Sequence, residues 1–141
     1  MISKYESSSW VNWLGDNKIG IFPLNRFSVR FNASWFPKEQ HELRIKFQAT
    51  VMEAETGAEW LADTAGNLNS TDTSVAGFDL GQLAFQIRYK YEISPLSHFY
   101  AVYTRGGRHY EDDDMSVREI ISGTWNNPQE DRFTLKLRMK F

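Results

Sequence analysis

Cysteine is absent from the 141 residues, which removes disulfide frameworks, cysteine-bearing zinc sites and thiol nucleophiles together. No run approaches the ~18 apolar residues that a membrane-spanning helix needs, and the first twenty residues lack the basic and apolar pattern of a signal peptide. Charge of one sign is not in excess either: 16 Lys and Arg against 18 Asp and Glu leave a net charge of -2. That is too little for a protein that grips nucleic acid by bulk charge, so no nucleic acid is expected as a partner. Only three histidines occur, His41, His98 and His109. His41-Glu42 opens an H-E-x-x-H that closes on Ile45 instead. G-x-S-x-G, the phosphate-binding loop and G-x-G-x-x-G are missing as well. No metal, no cofactor and no catalytic constellation is expected, and the chain does not read as an enzyme. What is plentiful is aromatic: 10 Phe, 6 Tyr and 5 Trp make 15% of a chain whose mean hydropathy is only -0.51.

Periodicity accounts for those rings. From Arg26 to Trp35, Phe27, Val29, Phe31, Ala33 and Trp35 alternate with Arg26, Ser28, Arg30, Asn32 and Ser34, which is the period of a strand with one apolar face. After a proline-containing break at residues 37–40 the pattern resumes with Leu43, Ile45, Phe47, Ala49 and Val51. It returns in Leu83, Phe85, Ile87, Tyr89, Tyr91 and Ile93, and again in Phe133, Leu135, Leu137, Met139 and Phe141. A turn at residues 94–97 leads into His98 to Thr104, where both faces carry apolar groups. Five strands are clear and a sixth is possible around Trp10 and Trp13. The chain divides into an irregular segment or partial strand at 1–25 and barrel strands at 26–141, with long loops at 57–79 and 108–130.

Three features point to an all-β, antiparallel up-and-down transmembrane barrel segment in a bacterial outer membrane. The alternating runs are each about ten residues, the length a tilted strand needs to cross the hydrocarbon layer, against ~5 to 6 for an average soluble strand. The connections alternate short, long, short, long, as periplasmic turns and extracellular loops do. The last strand ends on an aromatic residue, so that Phe133, Leu137, Met139 and Phe141 resemble the C-terminal signal that the barrel-assembly machinery recognises. The expected lipid-facing residues are Phe27, Val29, Phe31, Leu43, Ile45, Phe47, Phe85, Ile87, Tyr89, Leu135, Leu137 and Met139. The expected partners are the lipid bilayer and lipopolysaccharide, that machinery, and further strands, because five or six strands cannot close a membrane barrel.

Charge is sorted by face. Ten of the 16 cations, Arg26, Arg30, Arg44, Lys46, Arg88, Lys90, Arg132, Lys136, Arg138 and Lys140, share the polar face with only Glu42 and Glu92, a surplus of eight. Facing a lumen, such a wall favours anions; alternatively it fills the barrel by pairing with carboxylates on absent strands. The loops are acidic. Glu111-Asp112-Asp113-Asp114 lacks the spacing of a calcium loop and reads as solvated.

The run from His41 to Gln48 after Trp35-Phe36-Pro37, then Gln86-Ile87-Arg88-Tyr89-Lys90-Tyr91 leading to Ser94-Pro95-Leu96-Ser97, then Tyr100 to Gly106, resembles the C-terminal barrel of an outer-membrane family of unassigned function. Its members carry an N-terminal carbohydrate-binding-like domain of the type attached to xylanases. The resemblance implies a C-terminal piece of a longer barrel protein, porin-like or an anchor, and no carbohydrate-binding residue here. Two alternatives remain at this stage: a soluble barrel enclosing an apolar ligand, and an outer-membrane enzyme with its site in the long loops.

Overall fold

The computed structural model describes residues 1–111 and 115–140. The elements are β1 (Ile2–Gly15), β2 (Lys18–Lys38), β3 (His41–Ala54), β4 (Gly57–Ala62), β5 (Leu68–Val75), β6 (Phe78–Ser94), β7 (Ser97–Glu111), α1 (Val117–Asn126) and β8 (Glu130–Arg138). All strands pair antiparallel in one eight-stranded sheet that does not close into a barrel.

The pairing reduces to six long rails. β3 and β4 lie end to end along one edge of β2, which pairs through Leu24↔Ala54 and then Ile21↔Ala58. The ladder bridges the break by the Glu55 amide donating to the Pro23 carbonyl at 3.0 Å. β5 and β6 run end to end along the next edge. The rails are therefore β1, β2, β3 with β4, β5 with β6, β7 and β8, a meander in chain order. Two-residue turns join them where the chemistry permits. Asp16 and Asn17 both have positive φ, 45° and 60°, as the primed turn that matches strand twist requires. Pro95 and Leu96 occupy the centre of another, with φ +67° at Leu96.

Several expectations change. The segment 1–25 is not irregular: β1 pairs with β2 from Ile2↔Arg30 to Gly15↔Lys18. Its pattern was weak because β1 is exposed along nearly its whole length, so no buried face selects an alternation. Residues 57–79 are not a loop but the hairpin β4–β5, and residues 108–130 hold the end of β7 and all of α1. Alternation is a poor guide in both places because polar side chains there have structural tasks. Glu59 is buried, with Lys18 Nζ at 3.3 Å and the Thr71 hydroxyl donating at 2.9 Å. Asp63 ties the β4–β5 turn by accepting from the amides of Ala65 and Asn67. β8 ends at Arg138, and the Lys140 amide then donates to Ser97 Oγ at 3.1 Å. Phe141 and Asp112–Asp114 lie outside the described residues, so the terminal aromatic and most of the acidic run are not placed.

The helix is set by its ends and by one stripe. Ser116 caps it, its hydroxyl accepting from the Glu119 amide while Glu119 accepts from the Ser116 amide and hydroxyl, the reciprocal arrangement of a capping box. These bonds hold the Glu119 carboxyl below its ordinary range. Ile120 and Thr124 are its buried residues and face the sheet. A Cβ on Gly81 would fall 2.3 Å from Thr124 Oγ1 and 2.5 Å from Ile120 Cγ2, and one on Gly107 2.8 Å from the Thr124 carbonyl oxygen. Glycine at those two points admits the helix. Arg105 secures the far end, donating to the Trp125 carbonyl at 2.8 and 3.2 Å, pairing with Asp131 at 2.6 Å and lying 4.9 Å over the Trp125 ring.

Candidate functional site: the polar face of the sheet

Directly paired residues share a face, so the registers sort every expected site residue. One polar row runs Asn32, Lys46, Gln86, Thr104, Arg132 across five rails; the next runs Ser34, Arg44, Arg88, Val102, Thr134. Glu42, Lys90, Tyr100 and Lys136 form a third, and Glu92, His98 and Arg138 a fourth. Arg26 and Arg30 stand higher on the same face, beside Met52 and Gln48. Nine of the ten expected cations are thereby placed on one surface; Lys140 follows the end of β8. Glu42 pairs with Arg44 two residues along β3. Arg26 behaves differently from the rest: its Nη2 reaches Met52 Sδ at 3.9 Å, and its Nε is buried without a partner among the described residues.

The opposite face carries the expected apolar set. Phe31, Phe47 and Phe85 form one row, which runs on into the paired Arg105 and Asp131; Ala33, Ile45, Ile87, Tyr103 and Phe133 the next; Trp35, Leu43, Tyr89, Ala101 and Leu135 a third; His41, Tyr91, Phe99 and Leu137 a fourth. His41 stacks on Tyr91 at 4.7 Å and its Nδ1 lies 2.6 Å from the Tyr89 hydroxyl. Phe27 and Val29 lie above these rows, in register with Val51 and Ala49. Helix α1 docks at that height on β6 and β7, so the apolar face is not bare along its full length: Ala49, Val51 and Leu83 are buried, and Phe85 meets Trp125 edge to face at 5.9 Å. Met139 lies past the end of β8.

The polar face is the hollow one. A cleft of about 540 Å³ is lined from Arg30 and Asn32 on β2 to Glu130 on β8. A second, of about 330 Å³, shares Gln48 and Ala84 with it and continues to Gln82, Arg108 and Gln129. The floor is low because Ala84 and Gly106 sit side by side in the row Arg30, Gln48, Ala84, Gly106, Glu130. Counting charges overlooks the amides here, Asn32, Gln48, Gln82, Gln86 and Gln129; their signal in the sequence was position, since all but Gln129 occupy the polar phase of a clean strand. No helix among the described residues is long and apolar enough to cross a membrane, which says nothing of strands. Nor do any three or more described His, Asp and Glu residues cluster as metal ligands. Comparison with protein-family models, with curated proteins and with solved structures gives no match to this chain.

Proposed function

We propose that the chain forms a sector of an outer-membrane β-barrel whose cationic, cleft-bearing face lines a water-filled path that favours anionic solutes. The observation that carries this reading is the pairing of a hollow cationic face with one that is apolar below the Arg105–Asp131 ion pair and α1. The apolar rows below α1 span residues 87 to 93 on β6. Seven residues at about 3.3 Å each, tilted by about 40°, cover roughly 18 Å, the greater part of the ~25 Å apolar band of a membrane barrel. Toward its ends that surface is open: Trp35 is 63% exposed, Phe133 66% and Leu137 61%. Large contiguous apolar surface of this kind needs a cover, and rings at Trp35, Tyr91 and Phe99, on this face near the short turns, suit an interfacial girdle.

The sheet's free edges support incompleteness. An open edge in lipid leaves unpaired backbone groups at several kcal/mol each, so further strands must complete the wall. Removing detergent tests the membrane assignment: the chain should precipitate or aggregate, and a monodisperse species in plain buffer would overturn it. Reversal potentials across a planar bilayer containing the assembled barrel should show anion preference; cation preference would refute the cationic path.

A further inference from the structure

We propose that the cleft over Ala84 and Gly106 is a binding site for a short acidic sugar, a uronate of one or two residues. The inference rests on the polar face being the water-filled one, and it adds the class of solute. The donors are unspent: Arg30, Lys46, Gln48 and Gln86 make no side-chain hydrogen bond or ion pair with any described residue. Arg30 and Lys46 stand diagonally on adjacent rails, within reach of one carboxylate. Gln48 and Gln86 flank them, and an amide both donates and accepts, as vicinal hydroxyls demand. Glu130 at the far end already accepts from Thr104 at 3.5 Å and retains acceptor capacity for a hydroxyl.

Other ligand classes fit worse. Phe47, Phe85 and Arg105 also border the cleft, but the registers put their side chains on the opposite face, where the Phe85 ring meets Tyr103 and Trp125, so no ring of the polar face is offered to stack a nucleobase. A volume of about 540 Å³ lies within the ~300 to 1,000 Å³ of small-molecule sites. Gly106 adds an independent sign. A Cβ there would meet only the Leu83 carbonyl oxygen, at 3.2 Å, so no side chain occupies the space above it. A glycine inside a strand often marks close approach by a ligand.

The test titrates digalacturonate, maltose and inorganic phosphate separately into the full chain in detergent micelles, followed by calorimetry and by the side-chain amide signals of Gln48 and Gln86. Digalacturonate should saturate, with maltose at least about tenfold weaker. Lys46→Gln should weaken digalacturonate by about tenfold, the loss of one charge-assisted bond, and leave maltose unchanged. Ala84→Leu, which raises the floor on an exposed surface, should abolish digalacturonate binding while the strand spectrum is retained. Equal affinity for maltose, displacement of digalacturonate by an equal concentration of phosphate, unchanged binding in Ala84→Leu, or no saturation would each overturn the proposal. Failure of the membrane reading shows separately, as survival of the chain in plain buffer, where the same titration is then run.

Discussion

Along β3 the apolar residues Leu43, Ile45, Phe47, Ala49 and Val51 fall on the face that carries α1, yet Met52 and Ala54, next in the chain, fall on the opposite, polar one. The same exchange occurs at the same height on the neighbouring rails. Phe22 and Leu24 on β2 and Phe78 and Leu80 on β6 share the polar side with Met52 and Ala54, although Phe27 and Leu83 a few residues away are on the side of α1. No register shift accompanies the exchange; it lies in the order of the residues. The lower half of the sheet shows apolar groups outward and keeps a polar hollow. The upper half gathers its apolar groups inward, where Phe22, Leu24 and Ala54 are buried with Met52, Val75 and Phe78 against them, Phe22 meets Phe78 edge to face at 5.5 Å and Tyr110 stacks on Phe78 at 5.7 Å. One sheet thus solves the burial problem twice, with an internal core above and a surface that needs an external cover below.

The difference can be broken from either side. Phe22→Ala should cost about 3 to 5 kcal/mol in denaturant unfolding, because it empties a closed cluster; a loss under about 1 kcal/mol would mean the upper half has no core. Ile87→Arg, in the middle of the lower apolar face, should cost about 2 to 4 kcal/mol of stability in vesicles, while Lys46→Glu on the hollow face should be far milder. The opposite order would turn the lower sheet inside out. Gly81→Val should dislodge α1 from the boundary between the halves, at about 1 to 3 kcal/mol for an overpacked contact, read as loss of amide protection in α1 with β3 and β6 still protected. Ser116→Ala should cost about 1 kcal/mol of helix stability by removing the cap.

The smallest effect is that of pH. The Glu119 carboxyl is held low by hydrogen bonds from Ser116. A depressed carboxyl contributes stability above its ordinary unfolded pKa and loses it as the pH falls through the folded value. Amide exchange in the first turn of α1 should therefore quicken on acidification through that window, before the sheet amides respond, and should lose this dependence in Glu119→Gln.

Much of the lower half is legible in the residues themselves. Strict alternation from Phe27 to Trp35, Leu43 to Val51 and Leu83 to Ile93 fixes which side chains share a face, because a strand's period is two whatever surrounds it. The ten cations are sorted by the same rule. β1 is legible only as a partial strand around Trp10 and Trp13 for the converse reason: exposed along nearly its whole length, it is held by the backbone ladder to β2 from Ile2 to Gly15, and ladder hydrogen bonds ask for no particular side chain. The β4–β5 hairpin is likewise a polar strand pair, built from Glu59, Thr71 and Asp63 rather than from an apolar stripe.

By itself, then, the sequence determined an antiparallel all-β meander with one apolar and one cationic face, since local sterics and side-chain period need no distant partner. Only the tertiary structure decided three things. It sets Ala84 and Gly106 side by side on adjacent rails among longer polar side chains, so that they become the floor of a cleft. It seats α1 on Gly81 and Gly107, residues more than ten positions away in the chain whose lack of a side chain has meaning only when the helix arrives. It also aligns the changes of phase on separate rails at one level, which depends on the register of β2 with β3, closed by the turn at Glu39-Gln40, and of β3 with β6, and not on any single strand.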